Sequence, residues 1–237
     1  MAIQSKLVEY THEGTVFEGY MAWDDAIKDP RPGVLVSHAW SGRSPFEEER
    51  ARRLAGLGYV GFALDVYGKG KRGTSKEENS ALMTPLVENR AMLQGRLLIA
   101  LQTMRAEAEV DAAHTGIIGF CFGGLCAMDL ARTGVDILGA ISFHGLPTAP
   151  GNTKKIQAKM LICHGWDDPM AKPEAMIGLA KELSDAGADW QLHAYGHTMH
   201  AFTNPAANDP DFGTVYQPDA DRRSWQAARN FFEELFG

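Results

Sequence analysis

Residues 115–124 read Thr-Gly-Ile-Ile-Gly-Phe-Cys-Phe-Gly-Gly, and this stretch decides the class of fold. Its first half, from Thr115 to Gly119, has the apolar character of a buried strand, and a helical pattern begins at Phe122. The central Gly-Phe-Cys121-Phe-Gly123 matches the sharp strand-to-helix turn that presents a nucleophile. Glycines two residues before and after Cys121 remove the Cβ atoms that would collide in such a turn. We therefore predict that Cys121 has a strained backbone conformation, which lifts its side chain above the sheet.

A cysteine at the centre of this turn predicts a thiolate nucleophile. The helix that follows offers unpaired N–H groups and a partial positive charge, and both favour thiolate over thiol. The N–H of Phe122 is a candidate oxyanion-hole donor. The alternative is a tight, glycine-rich turn around a buried, inert cysteine. Cys126 and Cys163 are predicted to be packing residues, because free cysteine behaves as a small hydrophobe.

The turn also predicts an acid and then a histidine, in that order along the chain. Asp168 lies in the loop after the predicted strand Met160–His164, and His200 lies in the loop after the predicted strand Trp190–Ala194. His200 would hold the sulfur deprotonated and later protonate the leaving group. Asp168 would fix the imidazole tautomer and stabilise the imidazolium.

Each of these assignments has a rival in the sequence. Asp167 could be the acid, and either aspartate could instead cap a turn or helix. His197 could replace His200 as the base. A metal site is not expected, because the spacing of the nearby histidines matches no helical ligand pair and no carboxylate lies between them. His164 is expected to be a structural histidine with satisfied hydrogen bonds.

The rest of the chain alternates strands with helices, which predicts an α/β fold with a mostly parallel sheet, helices on both faces and an N-terminal antiparallel hairpin. The predicted strands are Ile3–Tyr10, Thr15–Trp23, Gly33–Ser37, Tyr59–Leu64, Thr115–Gly119, Ile137–Phe143, Met160–His164 and Trp190–Ala194. The predicted helices are Phe46–Leu57, Thr84–Met104, Phe122–Ala131, Pro173–Ala186 and Asp219–Phe236. No linker or change of composition divides the chain, so residues 1–237 are predicted to form one domain.

Composition and charge restrict the partners. The 237 residues have a formal net charge of -7 and no basic run, which argues against nucleic acid and anionic membrane surfaces. Three cysteines form no disulfide framework, which is typical of a reducing compartment. The N-terminus has no apolar run of signal-peptide length, and no span approaches about 20 apolar residues. We therefore expect a cytoplasmic protein that is a monomer or a homodimer.

Together these residues resemble the dienelactone hydrolase family of α/β-hydrolases, and the resemblance extends over nearly the whole chain. The matching segments are Gly119–Gly124, Gly165–Pro169, His200–Phe202, Asp65–Gly70 and Ala55–Tyr59. The resemblance implies an α/β-hydrolase fold and a small-molecule ester or lactone as substrate. It also implies a triad of Cys121, His200 and Asp168 that acts through an acyl-thioester intermediate, with no cofactor.

The resemblance also makes expectations about substrate binding. Family members carry a glutamate in the loop after the first core strand, where this sequence has Ala39. The resemblance therefore does not extend to control of the resting thiol or to dienelactone itself as substrate. A backbone N–H near Ala39 or Trp40 is expected to be the second oxyanion donor. Arg90 and Arg96 are candidates to bind a substrate carboxylate, although a solvated helix face is the commoner place for arginine.

Two other functions are compatible with this pattern. The same fold could bind a small molecule without turnover, as a sensor, because a fold does not determine a function. Cys121 and Cys126 could also form a thiol-transfer pair. Their spacing is not that of a redox Cys-x-x-Cys motif, and residues five apart on a helix point in different directions.

Overall fold

The computed structural model describes residues 2–237. The backbone forms two compact units, one up to Ile118 and the other Gly119–Gly237, and each is described by itself. Both units combine helices with parallel strand pairs, which confirms the predicted α/β class. The prediction of one domain over residues 1–237 stays a prediction.

The first unit contains the N-terminal hairpin and the first core strands. Its strands are β1 (Ile3–His12), β2 (Thr15–Asp24), β3 (Arg31–Ser37), β4 (Val60–Ala63) and most of β5 (Val110–Phe120). They lie in the order β1-β2-β4-β3-β5. Strands β1 and β2 are antiparallel, as predicted, and β3 and β4 are parallel. The hairpin turns at Glu13 and Gly14, where φ is 47° and 76°.

The helices of the first unit correct one prediction. They are α1 (Pro45–Ala55), α2 (Lys76–Glu88) and α3 (Arg90–Arg105). The single helix predicted from Thr84 to Met104 is therefore wrong. Asn89 interrupts it with a non-helical conformation (φ -117°, ψ 79°), and its Oδ1 accepts a hydrogen bond from the Met92 N–H at 3.1 Å. An asparagine that caps the next helix competes with continuation of the first, so two helices form where the apolar pattern indicates one.

The second unit contains the remaining helices and strands. It begins with the end of β5 and contains α4 (Phe122–Arg132), β6 (Gly139–Phe143), β7 (Lys159–Gly165), α5 (Pro173–Asp185), β8 (Trp190–Tyr195), β9 (Asn208–Asp209), β10 (Thr214–Val215) and α6 (Pro218–Phe236). Strands β6, β7 and β8 are parallel neighbours. The predicted helices and core strands of this unit are confirmed with small changes of boundary. Among residues 2–237, no helix is long and apolar enough to cross a bilayer.

The short pair β9 and β10 has no counterpart among the predicted elements. The two strands are antiparallel and only two residues long, so no periodicity marks them. This pair holds residues 213–215 against the backbone of His200. The His200 N–H donates to Gly213 O at 3.0 Å, and the Val215 N–H donates to His200 O at 3.0 Å.

Candidate active site

Cys121 lies at the strand-to-helix turn that the sequence predicts. It stands between β5 and α4 with φ 58° and ψ -118°, a conformation that L-residues rarely adopt. A Cβ added to Gly119 would lie 1.8 Å from Gly123 O, which confirms why glycine is required two residues before the cysteine. The whole of α4 is buried, so the turn is held by the core beneath it.

Substitution of Gly119 by alanine is expected to lower the free energy of unfolding by about 2–3 kcal/mol, because the new methyl group meets backbone that cannot move without distorting the turn. The matched control is Gly178→Ala in α5, where an added Cβ has nothing within 4 Å. Alanine in a helix is favoured over glycine, so this control should gain up to about 1 kcal/mol. Urea denaturation measures both values, and equal unfolding free energies for the two variants would contradict the expectation.

The structure pairs His200 with Asp168. The Nδ1 of His200 lies 2.7 Å from Asp168 Oδ2, and both side chains are buried. The other carboxylate oxygen of Asp168 accepts the Met170 N–H at 2.8 Å, so both oxygens of the acid are engaged. The rival histidine, His197, is fully exposed and lies 3.8 Å from the half-exposed Asp167. Geometry and burial therefore favour His200 and Asp168 over their rivals.

The second ring nitrogen of His200, Nε2, is the one that Asp168 does not engage. Nε2 is buried, and besides Asp168 the group whose charge and hydrogen bond act on this imidazole is the Cys121 side chain. Burial by itself lowers the pKa of His200, but the charge on Cys121 and the hydrogen bond to Asp168 raise it by more, to about 10. The sulfur is thus close enough to stabilise an imidazolium. The arrangement can hold a proton on His200 and transfer it at Nε2.

The imidazole of His200 is expected to keep its proton well above the ordinary histidine pKa of about 6.5. Because the pKa of His200 is raised, its imidazolium form persists as pH increases and is lost only near pH 10. Replacement of Cys121 by alanine removes the sulfur charge and should lower that pKa, while Asp168 still supports the cation. Titration of ¹³C-labelled histidine by NMR, from neutral to alkaline pH, measures both proteins. An ordinary pKa in the wild type, or the same value in the variant, would contradict this expectation.

His164, on β7, differs from the expectation of a satisfied structural histidine. It is buried, yet neither of its ring nitrogens makes a hydrogen bond within the described residues. Burial lowers the pKa of His164, and Asp168 only partly opposes that effect. Burial therefore favours the neutral form of the His164 imidazole. The prediction of satisfied hydrogen bonds at this residue is wrong.

Sequence reasoning missed His144 and Thr203. The backbone N–H of Cys121 donates to His144 Nδ1 at 3.1 Å, and His144 Nε2 lies 2.9 Å from Thr203 Oγ1. The two imidazoles of His144 and His200 meet edge to face, with ring centroids 5.0 Å apart. One signal could have found His144: it follows directly after β6, at the carboxyl end of a parallel strand, where functional residues gather.

The loop expected to supply the second oxyanion donor lies in the first unit. The N–H of Ala39 donates to Glu47 Oε1 at 3.3 Å, and Trp40 O accepts the Tyr67 hydroxyl at 2.9 Å. Glu47 also closes the capping box of α1 with Ser44, so a buried carboxylate ties this loop to the helix. A glutamate thus reaches the loop from α1 although position 39 holds alanine. The donor roles of Ala39 and Trp40 stay predictions.

The two candidate arginines of α3 have different surroundings. Arg90 is buried, which departs from the commoner solvated position. Arg96 donates to Val66 O at 2.6 Å, and its guanidinium lies 5.3 Å from the centre of the Phe17 ring. Burial lowers the pKa of Arg96. Their binding of a substrate carboxylate stays a prediction.

The other cysteines are buried, as expected for packing residues. Cys126 and Cys163 have no exposed surface, and burial raises the pKa of Cys163 to about 12. Cys121, by contrast, is partly exposed. Among residues 2–237, no three or more His, Cys, Asp or Glu side chains are grouped so that they could hold a metal ion.

Comparison with known proteins links this geometry to one family. The sequence profile of the dienelactone hydrolase family matches residues 17–236. A relative from Aquifex aeolicus, provisionally named carboxymethylenebutenolidase, is 31% identical over 234 residues, which cover 96% of this chain and 97% of the relative. The carboxymethylenebutenolidase of Rhodococcus opacus is 25% identical over 206 residues, covering 81% of this chain and 77% of that protein.

Two solved structures are similar over their full length. One, named m3DLH, has a TM-score of 0.95 with 38% sequence identity and covers 100% of both chains. The other is described as a dienelactone hydrolase-like promiscuous phosphotriesterase from metagenomic libraries. It has a TM-score of 0.94 with 37% identity, again over 100% of both chains.

Proposed function

The chain belongs to the dienelactone hydrolase family of α/β-hydrolases and is a hydrolase of carboxylic esters or lactones, and we propose that it acts through a thioester on Cys121. In this proposal His200 is the general base and acid, and Asp168 orients it. The observation that carries the proposal is the 2.7 Å contact between His200 and Asp168, in the same unit as the strained Cys121 turn.

The proposed reaction proceeds in two halves. The Cys121 thiolate attacks the carbonyl carbon and forms a C–S bond, and collapse of the tetrahedral intermediate breaks the C–O bond of the ester. The leaving alkoxide takes the proton from His200 Nε2. Water then attacks the thioester and gives a proton to His200, and the thiolate leaves as the acid product forms. For a lactone, the alcohol and the acid remain in one molecule.

Stabilisation of the oxyanion is assigned to the N-terminus of α4. Phe122 is the first residue of this helix, where backbone N–H groups point outward along the axis. The partial positive charge of the helix N-terminus favours both the thiolate and the tetrahedral oxyanion. Because the Ala39 N–H already donates to Glu47 Oε1 at 3.3 Å, the proposal takes the second donor from the N–H of Trp40 in the same loop.

Pre-steady-state kinetics with p-nitrophenyl acetate test the proposal. Nitrophenolate should appear in a burst of one equivalent per chain, followed by slower steady turnover. Acid quenching during the burst should leave one acetyl group on the chain, and peptide mapping should locate it on Cys121. Steady turnover with acetyl absent from Cys121 would overturn the thioester mechanism. A burst with no turnover after it would support the small-molecule sensor instead.

An aryl phosphotriester is the second substrate class to test, because the chain is 37% identical over its full length to the metagenomic protein described as a promiscuous phosphotriesterase. The same thiolate would attack phosphorus and release the aryl alcohol, leaving a phosphorylated sulfur that water must then hydrolyse. Repeated turnover of paraoxon that depends on Cys121 would support this activity. A single stoichiometric release with permanent loss of esterase activity would exclude it as a catalytic function.

A further inference from the structure

One imidazole connects the backbone of Cys121 to the loop that carries His200. His144 Nδ1 accepts the Cys121 N–H at 3.1 Å, and Nε2 lies 2.9 Å from the hydroxyl of Thr203, three residues after His200. His144 is itself fixed at the end of β6, because its own N–H donates to Cys163 O at 2.8 Å. The nucleophile and the segment of the base are therefore joined through a single buried side chain.

These contacts determine the tautomer of His144. A backbone N–H can only donate, so Nδ1 must be unprotonated to accept it. The proton of the neutral ring then lies on Nε2, which donates to Thr203 Oγ1. A cationic His144 would direct a second N–H against the Cys121 N–H and place a positive charge beside the imidazole of His200.

The backbone around this imidazole is strained in three places. Cys121, His144 and Ala201 have φ values of 58°, 40° and 57°, and none of them is glycine. Such conformations persist only where surrounding contacts hold them, and they are concentrated at functional sites. The His144 ring also packs against Phe202 with centroids 5.0 Å apart, so it supports both strained segments.

We propose that His144 is a positioning residue that fixes the Cys121 backbone relative to the His200 loop. It does so through its unprotonated Nδ1, which accepts the Cys121 N–H, and its Nε2–H, which donates to Thr203. The inference rests on the proposed function, because it takes Cys121 and His200 as the reacting pair. In this proposal His144 acts on the position of Cys121 and not on the substrate itself. It acts by fixing where the sulfur lies relative to His200 Nε2.

Loss of this acceptor is expected to affect the chemical step rather than substrate binding. Cys121 N–H also donates to Phe143 O at 3.1 Å, so the turn should persist, but with greater freedom. A sulfur displaced by a fraction of an ångström attacks the carbonyl carbon less efficiently. The expected signature is a lower kcat with an unchanged KM.

Three variants test the inference. His144→Phe keeps a ring of similar size against Phe202 but removes acceptor and donor, and kcat should fall about 10–30-fold with KM within twofold. His144→Asn restores an oxygen acceptor for the Cys121 N–H, and asparagine tolerates positive φ, so it should recover most of kcat. Thr203→Val removes the Nε2 partner at nearly constant shape and should lower kcat about threefold.

Alkylation of the unliganded protein by iodoacetamide provides a readout that needs no ester turnover. The rate at Cys121 should be about tenfold slower in His144→Phe than in the wild type, and His144→Asn should restore it. If the wild type alkylates as expected but hydrolyses no ester, the proposed function fails while the positioning role stands.

Three results would overturn the inference. His144→Phe with kcat and alkylation rate within twofold of the wild type would show that the contact does not position the sulfur. His144→Asn as slow as His144→Phe would show that the acceptor is not what matters, and a Tm lowered equally in both would assign His144 to packing alone.

Discussion

Replacement of Cys121 by alanine is expected to lower kcat/KM for an aryl ester by a factor of about 10³–10⁴, because the other two cysteines, Cys126 and Cys163, are fully buried and cannot form the thioester. Only oxyanion stabilisation and substrate binding would still contribute to the rate, and the initial burst of nitrophenolate should vanish. Alanine keeps the Cβ of cysteine and lacks only the sulfur, so the strained turn should stay folded. Steady-state kinetics on the purified variant, with a normal Tm as proof of folding, measure the effect.

The matched control is Cys126→Ala, in the same helix. Cys126 is buried within α4 and has no role in the proposed reaction, so kcat/KM should change less than threefold while stability falls by about 1 kcal/mol through the small cavity. Comparable loss of activity in both variants would mean that the helix, rather than the Cys121 sulfur, carries the effect. Full activity in Cys121→Ala would end the case for cysteine catalysis.

Replacement of Arg132 by methionine is expected to lower the free energy of unfolding by about 3–5 kcal/mol. The Arg132 side chain has 0% exposure and contacts Asp129, also 0% exposed, at 3.2 Å and Glu182 at 2.6 Å. It also donates to Pro147 O at 3.0 Å. Removal of the guanidinium would break the contacts with Asp129 and Glu182 in a buried environment. Because folded proteins are stable by only about 5–15 kcal/mol, urea denaturation should show a large shift.

A second arginine offers a control of the same geometry. Arg222 pairs with Asp219 three residues earlier at 3.0 Å, as Arg132 pairs with Asp129, but these side chains are 68% and 59% exposed. Arg222→Met should change stability by less than about 0.5 kcal/mol, because solvent screens exposed pairs. Addition of Asp129→Leu to Arg132→Met should recover part of the loss by replacing a buried carboxylate with an apolar side chain. Equal effects of the two arginine variants would show that burial is not the cause.

Much of the fold could be predicted from local patterns. The glycines around Cys121, the alternation of buried strands with helices and the hairpin turn at Gly14 each follow from steric rules that act within a few residues. The division of one predicted helix at Asn89 could not be read from apolar spacing, because a capping side chain outweighed the period.

The candidate site was only partly predictable. The order of Cys121, Asp168 and His200 along the chain follows from the turn motif, but the sequence left His197 and Asp167 as rivals. The structure adds that His200 and Asp168 are buried and lie 2.7 Å apart, whereas His197 is fully exposed. His144 carries no motif, since its role depends on meeting the backbone of a residue 23 positions earlier.

By itself the sequence determined where the sharp turn falls and which residue stands at its apex, because the collision of Cβ atoms is a local matter decided by adjacent glycines. Only the tertiary structure decided which imidazole meets a carboxylate, which histidine holds the Cys121 backbone and which arginine is buried. Those outcomes depend on distances between segments tens of residues apart and on the solvent that packing removes. Both the distances between these segments and their burial are established only when the chain folds.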